Sequence, residues 1–392
     1  MRKSALFAFG LVVTMIVALG LVVLSSASEA NALRLHGDAY FFMKRQFLYL
    51  LVGVVLAVGV ALFDYRKWRD HPVLTVVFAF VVFVALWGVF AFDPIKGSCR
   101  WISLGPIRLQ PSEFAKLVTV ILLSVWMDRA GWKVETFVRG VLWPSSLLGL
   151  MILPVVLEPD FGSTVVMAFA GILVMFVGGA RFWHMFPIFL AGFAGVAVKV
   201  MSNANRMARI AAWLGIKLQV GAQVADAAAE RAAYQSYNAL VAIKNGGIWG
   251  AGLNQSMQKH YYLPEAHTDF IFAVGAEELG LFFSLGAILL FFAFFALSVY
   301  IARKASDRFG RYLVLGMMFL IFVQAMANLG VVCQALPTKG VALPFFSYGG
   351  TNMMSAFFAV GTILSVGIHS YRDVKRQFIG RVVMRSRNGR GR

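Results

Sequence analysis

Ten apolar runs recur along this chain, near residues 5–25, 47–63, 73–92, 114–128, 140–157, 163–179, 182–201, 270–301, 312–333 and 352–369. Such runs cross a hydrocarbon core of roughly 30 Å as helices, because a helix pairs every backbone polar group within its own segment. With 60% hydrophobic and 14% charged residues, the chain has too little polar surface for a water-soluble globule of 392 residues. The expected fold class is therefore an all-α polytopic membrane protein of about ten transmembrane helices. The first run follows Arg2 and Lys3, the charge order of a signal peptide. Its apolar stretch exceeds the ~7 to 15 residues of a cleaved leader, so a retained anchor is predicted.

An even number of spans puts both termini on one side. Assigning the termini and alternate loops to that side gives it 21 Lys and Arg against 13 opposite, with Lys116 and Lys199 near span ends. The positive-inside rule then makes both termini cytoplasmic. Two units follow: a ten-span membrane domain over 1–370 and a basic cytoplasmic tail over 371–392. The connection 202–269, between spans seven and eight, is a large extracytoplasmic loop, and connections of that length usually carry function. Within it 222–239 has the pattern of a surface helix with Tyr234 and Tyr237 as interfacial anchors. Gly246, Gly247, Gly250 and Gly252 suit tight turns or close backbone approach, since no Gly-Lys-Ser/Thr ends the run as in a phosphate-binding loop.

The net charge of +18 is dispersed through short loops and the tail. That argues against nucleic acid and for anionic membrane lipid as the partner. The tail, with Lys375, Arg376, Arg381, Arg385 and Arg387, reads as a disordered segment at the inner leaflet. Cys99 and Cys333 read as two unpaired thiols near the outer face, and no metal-ligand spacing is present.

Polar side chains collect at one end of this apolar bundle. Glu265, His267, Thr268 and Asp269 stand at the mouth of the eighth run. A carboxylate beside a bilayer is costly and marks a functional candidate, although Asp269 or Thr268 would serve equally as an N-cap. Arg100, Trp101, Gln110, Ser112, Glu113 and Lys116 lead into the fourth span, Glu158 and Asp160 sit between the fifth and sixth, and Lys339, Ser347 and Tyr348 precede the tenth. Singly, each has a structural account: Ser112 and Asp160 as caps, Glu113 and Lys116 as an i,i+3 pair. Four outer loops contributing together indicate a site open to one side. Glu277 and Glu278 lie inside the eighth run, either at the outer head-group level or packed in the bundle against a partner such as Lys116 or Lys339.

Arg100-Trp101-Ile102 through Leu104-Gly105-Pro106 to Gln110-Pro111-Ser112-Glu113, then Glu158-Pro159-Asp160-Phe161-Gly162, Leu263 to Phe270, and Leu336-Pro337-Thr338-Lys339-Gly340 through Pro344 to Gly350 carry a resemblance. In order, and over nearly the whole chain, they resemble the SEDS family (shape, elongation, division and sporulation), its division branch more than its elongation branch. Departures from the branch pattern are Asn254 after Gly252-Leu253, Ala276 before Glu277, and Thr351-Asn352 after the glycine pair. The resemblance implies a peptidoglycan glycosyltransferase of the bacterial cytoplasmic membrane that polymerises lipid II at the division septum. It implies a class B penicillin-binding protein and other division proteins as partners. It further implies that Asp269 is the essential acid, and that Arg100, Trp101, Gln110, Ser112, Glu113, Lys116, Asp160, Lys259, Glu265, His267, Lys339, Ser347 and Tyr348 line the substrate site.

The residue types suit that chemistry. Diphosphate is already a good leaving group, so cations that stabilise its charge and one carboxylate acting as general base suffice. A second catalytic carboxylate, as in glycoside hydrolysis, is not required. Asp269 would be the base, with inversion at the anomeric carbon, and Arg100, Lys116, Lys259 and Lys339 the candidates for holding diphosphates, some of them serving instead as structural ion-pair partners. No cofactor is required, and a divalent cation such as Mg or Mn is compatible with the chemistry. Two other readings are a lipid II flippase, for which internal repeats and midplane coupling groups are missing, and a noncatalytic division scaffold that docks partners through the long loop.

Overall fold

The computed structural model describes residues 3–93, 98–104, 107–158, 160–202, 204–214, 223–260 and 263–389. Arg2, Lys96, Lys217, Arg390 and Arg392 of the charge count, and Gly105, Pro106 and Pro159 of the motifs, lie outside the described residues. In chain order the elements are α1 (Lys3–His36), α2 (Phe41–Leu62), α3 (Lys67–Asp70), α4 (Pro72–Gly88), β1 (Ile102–Leu104), β2 (Ile107–Leu109), α5 (Pro111–Ala130), α6 (Trp143–Leu157), α7 (Phe161–Val177) and α8 (Phe182–Met201). They continue with α9 (Ala204–Leu214), α10 (Gln223–Gly246), α11 (Ile271–Arg303), α12 (Arg308–Val332) and α13 (Gly350–Gly389).

Every one of the ten apolar runs lies in a helix. Among the described residues, eight of those helices are long and apolar enough to cross a membrane. The other two are α7, apolar but of 17 residues, and α5, which carries Glu113, Lys116, Asp128 and Arg129. The helices obey bilayer rules: α1 buries the stripe Phe9, Val13, Ile16, Val17, Val23 and Leu24, with the Phe9 ring 5.3 Å from Phe294 of α11, and turns Phe7, Leu11 and Met15 outward. Helix α12 is largely enclosed, and along it the apolar Leu313, Met317 and Ala325 accompany the buried amides Gln324 and Asn328. By contrast, α8 buries Met185 alone among its residues.

The all-α class holds, with one short addition: β1 and β2 pair antiparallel, Ile102 opposite Leu109. Two features depart from the sequence reading. The basic tail is not disordered over its described length, because α13 continues to Gly389. The eighth run is not one continuous helix: α11 breaks at Gly280, whose φ of 70° and ψ of −158° leave the helical region. Main chain from the long loop fills the break. Ala251 N donates to Glu277 O at 2.9 Å, Gly252 N to Glu278 O at 2.9 Å, and Leu281 N to Gly247 O at 3.0 Å. A side chain at 280 would meet a positive φ and a backbone nitrogen, that of Gly250, 2.5 Å from its Cβ.

The surface helix expected over 222–239 is present as α10, extended to Gly246. Both cysteines are free. At the end of the bundle away from the motif loops, Arg66 pairs with Asp307 at 3.2 Å and with Asp373, and Arg69 with Asp128 at 3.5 Å, tying α3, α5, α12 and α13 together.

Candidate active site

The loops before α5, α7, α11 and α13 converge at the other end. Asp160 caps α7, with Oδ1 accepting from Ser163 N at 3.3 Å, while Oδ2 accepts from Gln110 Nε2 at 3.1 Å and Ser112 Oγ at 3.2 Å. Burial pushes this carboxyl up, but the charge of Arg100, the hydrogen bonds from Ser163 and the charge of Lys116 outweigh it and hold the pKa below the usual value. Asp160 is thus an ionised, satisfied anchor.

Cations gather around it. Arg206 of α9 places its guanidinium 3.8 Å from the Phe161 ring centre, and Lys339 Nζ lies 5.8 Å from the same ring. Burial lowers the Lys339 pKa to about 8; Asp160 opposes that fall, and the charges of Arg100 and Arg206 add to it. Arg100 Nε donates to Glu158 O at 3.4 Å. The Glu158 carboxyl is buried, with neither oxygen partnered among the described residues. Burial first, and then the charge of Asp160, raise its pKa to about 8 against the opposing pull of Arg100. With Glu158 largely neutral, Arg100, Arg206 and Lys339 surround one ionised acid and leave local positive charge in excess. An anion fits such a place.

Asp269 borders the same segment. Its carboxylate rests on Gly340, where an added Cβ would fall 2.7 Å from Asp269 Oδ2. Three successive carbonyls of the His-Thr-Asp stretch are held from behind: His267 O accepts from Tyr348 N at 3.0 Å, Thr268 O from Ser347 Oγ at 2.6 Å, and Asp269 O from Asn328 Nδ2 at 2.7 Å. Asn328 Nδ2 also donates to Val341 O at 2.6 Å, so one buried amide joins the acid's segment to the one that carries Lys339 and Gly340. The His267 ring stacks on Phe42 at 4.8 Å, and Thr268 Oγ1 donates to Glu265 Oε2 at 2.9 Å. The Asp269 side chain remains partly exposed. Gly340 is the shared neighbour of the two acids, since a Cβ on Gly162 would lie 3.5 Å from Asp160 Oδ1 and 3.6 Å from Gly340 O.

A scan against family models matches residues 7–372 to the FtsW/RodA/SpoVE model, described as cell cycle protein. The chain belongs to this family. It is 40% identical over 359 residues to a Nitrosococcus halophilus protein named "Probable peptidoglycan glycosyltransferase FtsW", covering 90% of this chain and 89% of that one. It is 34% identical over 363 residues to the stage V sporulation protein E of Bacillus subtilis, covering 92% and 96%. Among solved structures, it superposes with a TM-score of 0.67 on a chain of a peptidoglycan synthase complex that coordinates polymerization and crosslinking, at 25% identity and covering 93% and 98%. It superposes on the rod shape determining protein RodA of Thermus thermophilus with a TM-score of 0.65, at 24% identity and covering 93% and 96%. Several of the relatives carry the division-branch name FtsW, in keeping with the resemblance.

For a member of this family, the geometry sorts the expected site residues. Arg100, Gln110, Ser112, Asp160 and Lys339 come together around Phe161, with Trp101, partly exposed, entering β1 beside Arg100. Glu265, His267, Ser347 and Tyr348 build and brace the loop that carries Asp269. Two of the lysines named as candidates for holding diphosphate are ion-paired in this structure, Lys116 in the i,i+3 pair with Glu113 that the spacing suggests. Lys116 pairs with Glu113 at 2.8 Å and with Gln324 Oε1 at 2.9 Å, and Ser355 Oγ completes Glu113 at 2.9 Å. Lys259 pairs with Glu278 at 3.0 Å and donates to Ser26 Oγ at 2.7 Å and to Asn254 Oδ1. The partner of Glu278 is therefore Lys259, not Lys116 or Lys339. Glu277 pairs with no lysine among the described residues; it accepts from Ser256 Oγ and from the amides of Met257 and Gln258, both at 3.3 Å.

Sequence reasoning missed Arg206, counted only as a loop charge, and the amides Gln324 and Asn328. The latter pair had a signal: two polar residues four apart, on one face of an otherwise apolar run. Among the described residues no group of three or more His, Cys, Asp or Glu could hold a metal ion.

Proposed function

We propose that this protein is a peptidoglycan glycosyltransferase that polymerises lipid II, with Asp269 as general base. The reading is carried by one observation: an accessible carboxylate, fixed from behind by three backbone contacts, rests on Gly340 next to a cluster of three cations. In the reaction, a sugar hydroxyl of one substrate attacks the anomeric carbon of the other. The new C–O bond forms as the bond from that carbon to the diphosphate oxygen breaks, the electron pair leaves on diphosphate, and the hydroxyl proton passes to Asp269. Back-side attack inverts the anomeric centre. Arg100, Arg206 and Lys339 stabilise the departing charge, whereas Lys116 and Lys259 hold the bundle together.

The site then faces the extracytoplasmic side of the bacterial inner membrane, both termini are cytoplasmic, and the protein works at the septum with a class B penicillin-binding transpeptidase. The relatives' names and the similarity to a chain of a synthase complex support that assignment. Its test is Asp269→Asn. The variant keeps its fold, with unchanged thermal melting in detergent, and makes no glycan polymer from purified lipid II. Wild-type rates from the variant would remove Asp269 as base.

A further inference from the structure

A cavity of about 140 Å³ lies beside the cation cluster, between α9, α10 and the segment that follows α12. Arg209, Trp213, Ser236, Gln334 and Thr338 line it. Trp213 Nε1 donates to Gln334 O at 2.8 Å, which fixes the indole at the cavity wall while 43% of the residue stays exposed. Thr338 Oγ1 is shielded from solvent and has no hydrogen-bond partner among the described residues. A hydroxyl so placed is costly unless something polar enters to meet it. Arg209 follows Arg206 by three positions on α9, so the two share a face of that helix. Thr338, Lys339 and Gly340 are consecutive. The first borders this cavity, the second joins the cation cluster, and the third meets the Asp269 carboxylate.

We infer that this cavity binds a saccharide of the lipid-linked substrate, an N-acetylated hexose attached to the diphosphate held at Lys339 and Arg206. The inference rests on the function proposed above. The lining selects this class of ligand: one cation is too few for a second diphosphate, while a fixed indole, two hydroxyls and an amide match a pyranose. The apolar C–H face of the ring stacks on the indole, and its hydroxyl and acetamido groups pair with Thr338 and Ser236.

The test compares two ligands that share a diphosphate and differ in the sugar. Equilibrium binding of lipid II and of undecaprenyl diphosphate is measured on the full chain in nanodiscs, for wild type, Trp213→Ala, Trp213→Phe, Thr338→Val and Lys339→Ala. Trp213→Ala and Thr338→Val weaken lipid II about tenfold, as loss of a central aromatic or buried polar contact does, and leave undecaprenyl diphosphate unchanged. Trp213→Phe keeps a stacking face and most of the lipid II affinity, and Lys339→Ala weakens both ligands. Unchanged lipid II binding in Trp213→Ala and Thr338→Val, or equal weakening of both ligands, overturns the saccharide assignment alone. Wild-type protein that binds neither ligand overturns the proposed function, and this inference with it.

Discussion

Two lysine-bearing regions on the motif side of the molecule look alike in sequence and differ in structure. Around Lys259, charge is balanced: Glu278 faces the ammonium at 3.0 Å, side-chain exposures are 1% and 0%, and Ser26 and Asn254 complete its hydrogen bonds. Around Lys339, charge is unbalanced. Arg100, Arg206 and Lys339 lie around the ionised Asp160, and burial first, then the charges of Arg100 and Arg206, lower the lysine pKa to about 8 against the pull of Asp160. A sealed pair holds helices, whereas an excess of one sign in a partly open place is poised to bind its opposite. The lesson is that a cation's neighbours, not its presence in a family motif, decide whether it serves substrate or scaffold.

That contrast can be broken in four places. Lys259→Met leaves Glu278 buried without its cation and costs about 3–5 kcal/mol of stability, whereas Lys259→Met with Glu278→Leu recovers most of it; chemical denaturation in detergent reads the difference. A silent Lys259→Met would mean that the pair is not structural. Lys339→Ala leaves stability intact and lowers kcat/KM by roughly 10²–10³, the loss typical of a charge-stabilising contact at a reacting group, measured as polymer formed from lipid II. Asn328→Leu loosens the tie between Asp269 and the Lys339 segment and lowers kcat about tenfold with little change in KM, as loss of a buried hydrogen bond predicts. Asn328→Asp does worse, because an acid facing the carbonyls of Asp269 and Val341 has no N–H to offer them.

The smallest effect is in pH. Lys339 binds anions only when protonated, its depressed pKa puts half its charge at about pH 8, and charge is lost as pH rises. From pH 7 to pH 8, kcat/KM therefore falls about twofold through this group, and Lys339→Arg removes that limb of the profile. A limb that persists in Lys339→Arg belongs to another residue.

The helices were legible because a bilayer demands long apolar runs, and each such run became a helix. Much of the site was legible too. The loop with Asp269 and the loop with Lys339 each carry chemistry that an apolar bundle does not need for folding. What stayed hidden depended on contacts distant in sequence. Arg206 joins the cluster only because α9 lays it over Phe161, 45 positions away. Lys259 is paired by Glu278, 19 positions away, and Lys116, beside its i,i+3 partner Glu113, is met by Gln324 from across the fold. The break at Gly280 was masked by uninterrupted hydropathy, since a window average registers apolarity and is blind to a torsion angle.

That break has a mechanical consequence. The outer section of α11, from Ile271 to Leu279, bonds Ala251 and Gly252 of the long loop through the carbonyls of Glu277 and Glu278, Gly247 and Ile248 accept from Leu281 beyond the break, and the section begins two positions after Asp269. It is therefore a short lever, interrupted at a glycine, with the long loop clasping both sides of the break and Asp269 at its tip. A load on that loop would reach Asp269 along about 10 Å of helical backbone.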